Sequence, residues 1–183
     1  METLRPQAVR SRERILAAAE SLFRANGIGA TGMDLVAASA PVSKRTLYKH
    51  FPDKASLVAA YLTEREARLL ATGATAGPRE RILAFFEAPA FTGAVAPCPF
   101  IAASVENPDP ASPPHHQARE SKLRVASLFT ELAAELGVAD APRLGEMLAL
   151  LHDGALARSQ VLDDVAPLDH ARTMAAMLLD SPG

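Results

Sequence analysis

The chain has 183 residues, a length that suits one domain or two small ones sharing a core, and its 49% hydrophobic content is enough to bury one; a single cysteine, Cys98, excludes an internal disulfide and fits a reducing compartment. Its apolar runs fall far short of the about 18 residues that cross a bilayer, and Arg5, Arg10, Arg12 and Arg14 precede no signal-like segment, so a cytoplasmic protein without a membrane partner is expected. The net charge of −2 hides an asymmetry: residues 1–60 hold nine Lys or Arg against five Asp or Glu, and the remainder ten against sixteen, which steers a polyanion to the N-terminal part and repels it elsewhere.

From Arg10 to Asn26, Ile15, Ala19, Leu22 and Phe23 form one stripe at helical spacing, and Gly27 stands where a helix is closed by a left-handed residue. A second helix follows Thr31, its expected N-cap, with Met33, Val36, Ala37 and Ala40 recurring at i, i+3, i+4 and i+7. Pro41 stops it and pushes Ala40 away from α geometry; with φ locked at about −65°, it is expected to keep a left-handed residue out of the turn. After a three-residue turn Ser43 caps a third helix, which Pro52 ends behind Phe51.

At about 100° per residue, Leu47 and Phe51 share one face of that third helix, and Arg45 and Lys49 point almost directly away from it. Lys44, Thr46, Tyr48 and His50 fill the flanks. Two short helices joined in this way, the second with cations opposite its apolar face, are how a helix-turn-helix offers a recognition helix to the DNA major groove. The long cations can then reach guanine acceptors or phosphate oxygens. Taken alone, the helix could equally carry a merely solvated charged face. Asp53 is placed to cap a fourth helix with Leu57, Val58, Tyr61 and Leu62 on its buried side, so that the first and fourth helices brace the pair.

Phe23, Gly27 and Thr31, followed by VSKRTLYKHFPDKASL from Val42 to Leu57, resemble the TetR family of one-component transcriptional regulators. The resemblance is specific over about residues 10–62 and looser beyond, where CPF at 98–100 and HDGAL at 152–156 look like segments of one branch. Pro41 stands where the family usually has glycine. The implied fold class is all-α, with an N-terminal three-helix helix-turn-helix DNA-binding domain, placed at 1–55, and a C-terminal helical ligand-binding and dimerisation domain, placed at 56–183. On this reading Arg45 and Lys49 approach base edges and Thr46 contacts a base or a phosphate, with Lys44 beside them. Thr31, Ser43, Tyr48, His50 and Lys54 would position the DNA backbone.

Downstream, Pro78 suits the first turn of a helix carrying Ile82, Leu83, Phe85 and Phe86. A looser segment through Pro89, Gly93, Pro97 and Pro99 and a short helix at Phe100 to Val105 follow. Prolines 108, 110, 113 and 114 make 107–114 an irregular connection, and helices are expected at 117–136, 142–162 and 168–179. Leu144, Met147, Leu148, Leu151, Ala155 and Leu162 form a broad apolar stripe, extended by Met174, Ala175, Met177 and Leu178, with Gly154 and Ala157 small enough to admit another helix. A monomer core explains this stripe equally well. The resemblance adds a homodimer through the last two helices, with two recognition helices about 34–36 Å apart on a palindromic double-stranded operator.

The resemblance also implies a small, apolar or aromatic effector. Phe85, Phe86, Phe91, Phe100 and Phe129 are candidates to line its cavity, core packing being the competing reading for each. Asn107, His152 and Asp153 are the polar candidates, the last two expected to point apart as helical neighbours and so not to form a dyad. Cys98 has only Pro97 and Pro99 beside it and no neighbouring cation, which favours an inert thiol over a redox or covalent effector site. His115 and His116 read as a solvated loop pair rather than metal ligands. With no phosphate loop, nucleophile elbow or paired acidic motif, neither an enzyme nor a resident cofactor is expected. The expected function is a repressor released from its operator by the effector. The alternative is a helical small-molecule-binding or interaction module without specific DNA binding.

Overall fold

The computed structural model describes residues 7–88, 95 and 97–180, so the expected roles of Arg5, Pro89, Phe91 and Gly93 lie outside the described residues. Among the described residues the chain is helical without strands: α1 (Gln7–Asn26), α2 (Met33–Ser39), α3 (Lys44–His50), α4 (Lys54–Leu70), α5 (Pro78–Ala84), α6 (Pro99–Glu106), α7 (Pro113–Glu135), α8 (Ala141–Leu162) and α9 (Ala166–Asp180). None of these helices is long and apolar enough to cross a membrane. Two compact units result, Met1–Arg65 with Pro99–Ala118, and Glu66–Cys98 with Arg119–Gly183.

In the first unit, α2 and α3 have seven residues each and could not persist alone, because helix nucleation costs more than so few bonds return. They are held by Val36, Ala37 and Leu47, which are buried with Ile15, Ala19 and Phe23 of α1 and Leu57, Val58, Tyr61 and Leu62 of α4. Each fully buried large side chain contributes about 1.5–3 kcal/mol. Phe23 and Tyr61 meet edge to face at 5.3 Å. Gly27, at φ 85°, donates its N–H to the Phe23 carbonyl at 3.0 Å and closes α1. Asp53 Oδ1 accepts the N–H of Ser56 at 2.7 Å and caps α4.

Three local expectations are corrected. Gly32, and not Thr31, is the N-cap of α2, without a side-chain bond. Pro41 does take a positive φ, 23°: Ala40 ends α2, and the Val42 N–H reaches back to the Ala37 carbonyl at 3.1 Å, a six-residue closure that demands a left-handed residue between them. The pyrrolidine ring resists that conformation, so the turn carries backbone strain. Finally, α7 begins at Pro113 inside the stretch expected to be irregular. Prolines fit a first helical turn, whose N–H groups have no intrahelical partner to lose. His115 and His116 therefore lie on a helix and not in a loop, and His115 Nδ1 sits 2.9 Å from the Asn107 carbonyl oxygen.

In the second unit α8 packs along α9, and α5 against α9. Ile82, Phe86, Phe129, Leu148 and Leu168 form the centre of its core. Where α7 crosses α8, Gly145 lets the backbones meet: a Cβ there would stand 2.8 Å from Thr130 N and 2.9 Å from Thr130 Cα. The apolar residues of α8 divide into two stripes. Leu144, Leu148 and Ala155 face inward, whereas Met147, Leu150 and Val161 are exposed, the last two at 76% and 83%. With Gly154 and Ala157 these outward residues repeat at i, i+3, i+7, i+10 and i+14, a helix-pairing pattern. Met174 and Met177 of α9 are exposed as well.

Candidate nucleic-acid interface

The first unit places α3 by its cap and its buried side. Ser43 Oγ accepts the Thr46 N–H at 3.1 Å, as the first orphan donors of a helix require, and the Phe51 N–H closes on the Leu47 carbonyl at 2.9 Å. Leu47 and Phe51 are buried while Arg45 and Lys49 are exposed, as the angular argument expects. Neither cation has an ion-pair partner among the described residues, and two long donors stand together on the outer face. Tyr48 is exposed, at 46%, and His50 is half-buried beside Phe51.

The other expected contact residues are more committed. Lys44 Nζ lies 2.7 Å from Asp34 Oδ2 of α2, and the bond and charge of Asp34 hold the ammonium above its ordinary range. Lys54 Nζ donates to the Gly29 carbonyl at 2.8 Å. Thr46 Oγ1 and Ser43 Oγ are 2.8 Å apart, so the two hydroxyls share a hydrogen bond at the start of α3. Thr31 is the clear correction. It is only 1% exposed, and its hydroxyl donates to the Gly27 carbonyl at 2.8 Å, so its side chain ties the α1–α2 turn together and is not presented to a DNA backbone.

Sequence reasoning missed the group that holds that turn from the other side. The carboxylate of Glu106, the last residue of α6, accepts the N–H of Ile28 at 3.2 Å and also that of Gly29. Together with Lys54, it fixes both the donors and the acceptor of a short glycine-bearing turn directly before α2. No local pattern announces this, because the partners are separated by some 78 residues.

Of the effector candidates, Phe85, Phe86, Phe129 and His152 converge in the second unit. The His152 ring meets the three phenylalanines edge to face at 5.9, 5.7 and 6.4 Å. Phe100 and Asn107 belong to the first unit, where Phe100 is buried and Asn107 Nδ2 donates to the Ala103 carbonyl at 2.9 Å, ending α6. His152 and Asp153 do not diverge as expected: Asp153 Oδ1 lies 3.6 Å from His152 Nδ1 and 2.5 Å from Lys122 Nζ. Burial works to raise the Asp153 carboxyl, but His152 and the Lys122 ammonium outweigh it and hold the carboxyl below its ordinary range. Lys122 Nζ also stands 3.6 Å from Cys98 Sγ, so the thiol does have a neighbouring cation.

Two short helices, the second buried on one side with cations outward, in a chain that is helical among the described residues, are the arrangement of a helix-turn-helix DNA-binding domain. The family profile described as "Bacterial regulatory proteins, tetR family" matches residues 15–61. A TetR-family transcriptional regulator from Streptomyces coelicolor is 30% identical, covering 93% of this chain and 95% of its own, with a TM-score of 0.78. A TetR transcriptional regulator from Chloroflexus aurantiacus is 25% identical over 93% of this chain and 94% of its own, with a TM-score of 0.76. The HTH-type transcriptional regulator YjdC of Escherichia coli is 28% identical over 181 residues, 92% of this chain and 93% of YjdC. The chain belongs to the TetR family of DNA-binding transcriptional regulators.

Proposed function

We propose that this chain is a cytoplasmic repressor that binds a palindromic operator as a homodimer and leaves it when a small, apolar or aromatic effector binds. The reading assigns operator binding to residues 1–55 and effector binding and dimerisation to 56–183. The observation that carries it is the geometry of α3, with Leu47 buried beneath and Arg45 and Lys49 exposed on the opposite face, without an ion-pair partner among the described residues. Phosphate contacts from Ser43, Lys44, Thr46, Tyr48, His50 and Lys54 would set the register, while Arg45 and Lys49 carry discrimination. The outward stripe of Met147, Leu150 and Val161, with Met174 and Met177 of α9, supports pairing of α8 and α9 with a second copy. The ring cluster of Phe85, Phe86, Phe129 and His152 supports an effector with an apolar or aromatic body. Such an effector acts only through unequal affinity for two states of the protein.

The test is selection of bound DNA from a random pool, followed by gel shift of the enriched sequence. The parent chain should select a palindrome, and Arg45→Ala with Lys49→Ala should lose discrimination with an unchanged thermal melt. Equal binding of the selected site by the double variant would overturn the assignment. A second reading, a helical binding module without specific DNA recognition, is favoured by the commitment of Lys44 to Asp34 and Lys54 to Gly29. No enriched sequence and no shift at low salt would decide for it.

A further inference from the structure

We propose that Asp34 is a specificity-determining residue: its carboxylate holds the Lys44 ammonium back from the phosphates of non-cognate DNA and yields it to a phosphate only when Arg45 and Lys49 have seated α3 on an operator. This role rests on operator discrimination by Arg45 and Lys49. Among the described residues, Lys44 is the one of the three long cations of α3 with an ion-pair partner, its Nζ standing 2.7 Å from Asp34 Oδ2. The two side chains are 67% and 68% exposed, so the ammonium is open to an approaching duplex and can change partners at small cost. Lys44 is the first residue of α3, directly after the Ser43 cap, where the unpaired N–H groups of a helix already disfavour a cation. Asp34 stands in the first turn of α2, the helix of this motif that crosses the DNA backbone. A carboxylate there opposes every phosphate that comes near, so it weakens any complex in which it is not offset.

Two kinds of complex differ in how closely a phosphate approaches Lys44. Non-cognate binding is carried by phosphate neutralisation alone, and a protein that slides and hops along the duplex keeps no one phosphate at contact distance. A fixed carboxylate in direct contact with the ammonium outcompetes such a partner, because Coulomb attraction falls with distance and is screened by the intervening water and salt. On an operator, base contacts from Arg45 and Lys49 fix the depth and register of α3, and a phosphate then stands where Lys44 reaches it directly. Exchange of Asp34 for phosphate gives Lys44 to the complex only there. Asp34 thereby removes one cation per subunit from non-cognate affinity and leaves that cation to the operator complex.

The full-length protein is titrated by fluorescence anisotropy with the duplex enriched by selection and with an equally long duplex of scrambled sequence, at salt from about 50 to 200 mM. Each phosphate neutralised adds about 0.9 to the slope of log affinity against log salt. Asp34→Asn should therefore steepen the scrambled-duplex slope by about 0.9 per subunit, which tightens that binding about fivefold per subunit at about 0.15 M salt, and should leave the operator slope unchanged. Lys44→Gln should do the converse: a loss of about 0.9 per subunit from the operator slope with the scrambled-duplex slope unchanged, a pattern that decides alone if Asp34→Asn does not fold. In the Lys44→Gln background, Asp34→Asn should change neither slope, which separates release of the ammonium from the mere loss of a negative charge. An unchanged scrambled-duplex slope in Asp34→Asn, an equal steepening in the Lys44→Gln background, or an equal loss on both duplexes in Lys44→Gln would overturn the proposal while operator discrimination by the parent persists. Equal binding of both duplexes by the parent would instead refute the operator reading, and the proposal with it.

Discussion

Replacing Gly145 by alanine sets two opposing effects against each other. Alanine is the better helix former, by about 0.8–1.0 kcal/mol in a helix interior. At this crossing, however, the new Cβ would stand 2.8 Å from Thr130 N and 2.9 Å from Thr130 Cα, well inside ordinary carbon contact distance. These are backbone atoms of a 23-residue helix and cannot swing aside as a side-chain tip would, so α7 and α8 must part locally. Overpacking of this kind costs about 1–3 kcal/mol, and separation also loosens the packing of neighbours such as Leu144 and Leu148. The clash should win, with about 1–3 kcal/mol lost against about 0.8–1.0 gained, a net loss of up to about 2 kcal/mol, or a melting temperature lower by up to about 4–8 °C for a chain of this size. Thermal and urea unfolding of Gly145→Ala measure the loss. Adding Thr130→Ala removes the hydroxyl but leaves N and Cα in place, so it should restore less than half. A Gly145→Ala protein as stable as the parent, or full rescue by Thr130→Ala, would refute a backbone-to-backbone crossing.

Other expected outcomes follow from single contacts. Pro41→Gly relieves a strained φ worth about 1–3 kcal/mol and restores an N–H, against about 1 kcal/mol of added unfolded-chain entropy, so a modest rise in stability is expected in urea unfolding and a fall would refute the strain. Glu106→Ala frees the amides of Ile28 and Gly29, so their hydrogen exchange should quicken while that of the α8 core stays slow; unchanged protection would show that the carboxylate does not hold the turn. Because the folded Asp153 carboxyl lies below its unfolded value, its contribution is present above about pH 4 and lost as pH falls through the folded value. Asp153→Asn should therefore lower the urea midpoint at neutral pH and flatten its decline in acid, whereas parallel pH curves for parent and variant would contradict the linkage.

The recognition helix was legible because everything that places it is local. Ser43 as cap, Pro52 as stop and the angular opposition of Leu47 and Phe51 to Arg45 and Lys49 lie within ten residues and follow from helical periodicity alone. Gly27 and Asp53 were legible for the same reason. Thr31 misled, because a hydroxyl before a helix can cap it or turn inward, and only the packing of α1 against α2 decides between them. The stripe read on α8 mixed two faces. Periodicity finds apolar spacing but not which side another helix covers, so Leu150 and Val161 came to notice only once α9 had taken the opposite side.

The sequence by itself determined the helical class, the recognition helix and its two outward cations, because these depend on spacing along a few turns. Only the tertiary structure decided what distant residues do to one another. It brought Lys122 to Cys98, Asp153 to His152, Glu106 to the turn at Ile28 and Gly29, and the backbone of α7 to Gly145. Charge and close approach act through space over a few ångströms, and the chain separations of these pairs, from one residue to dozens, carry no signal of which neighbours the fold will choose.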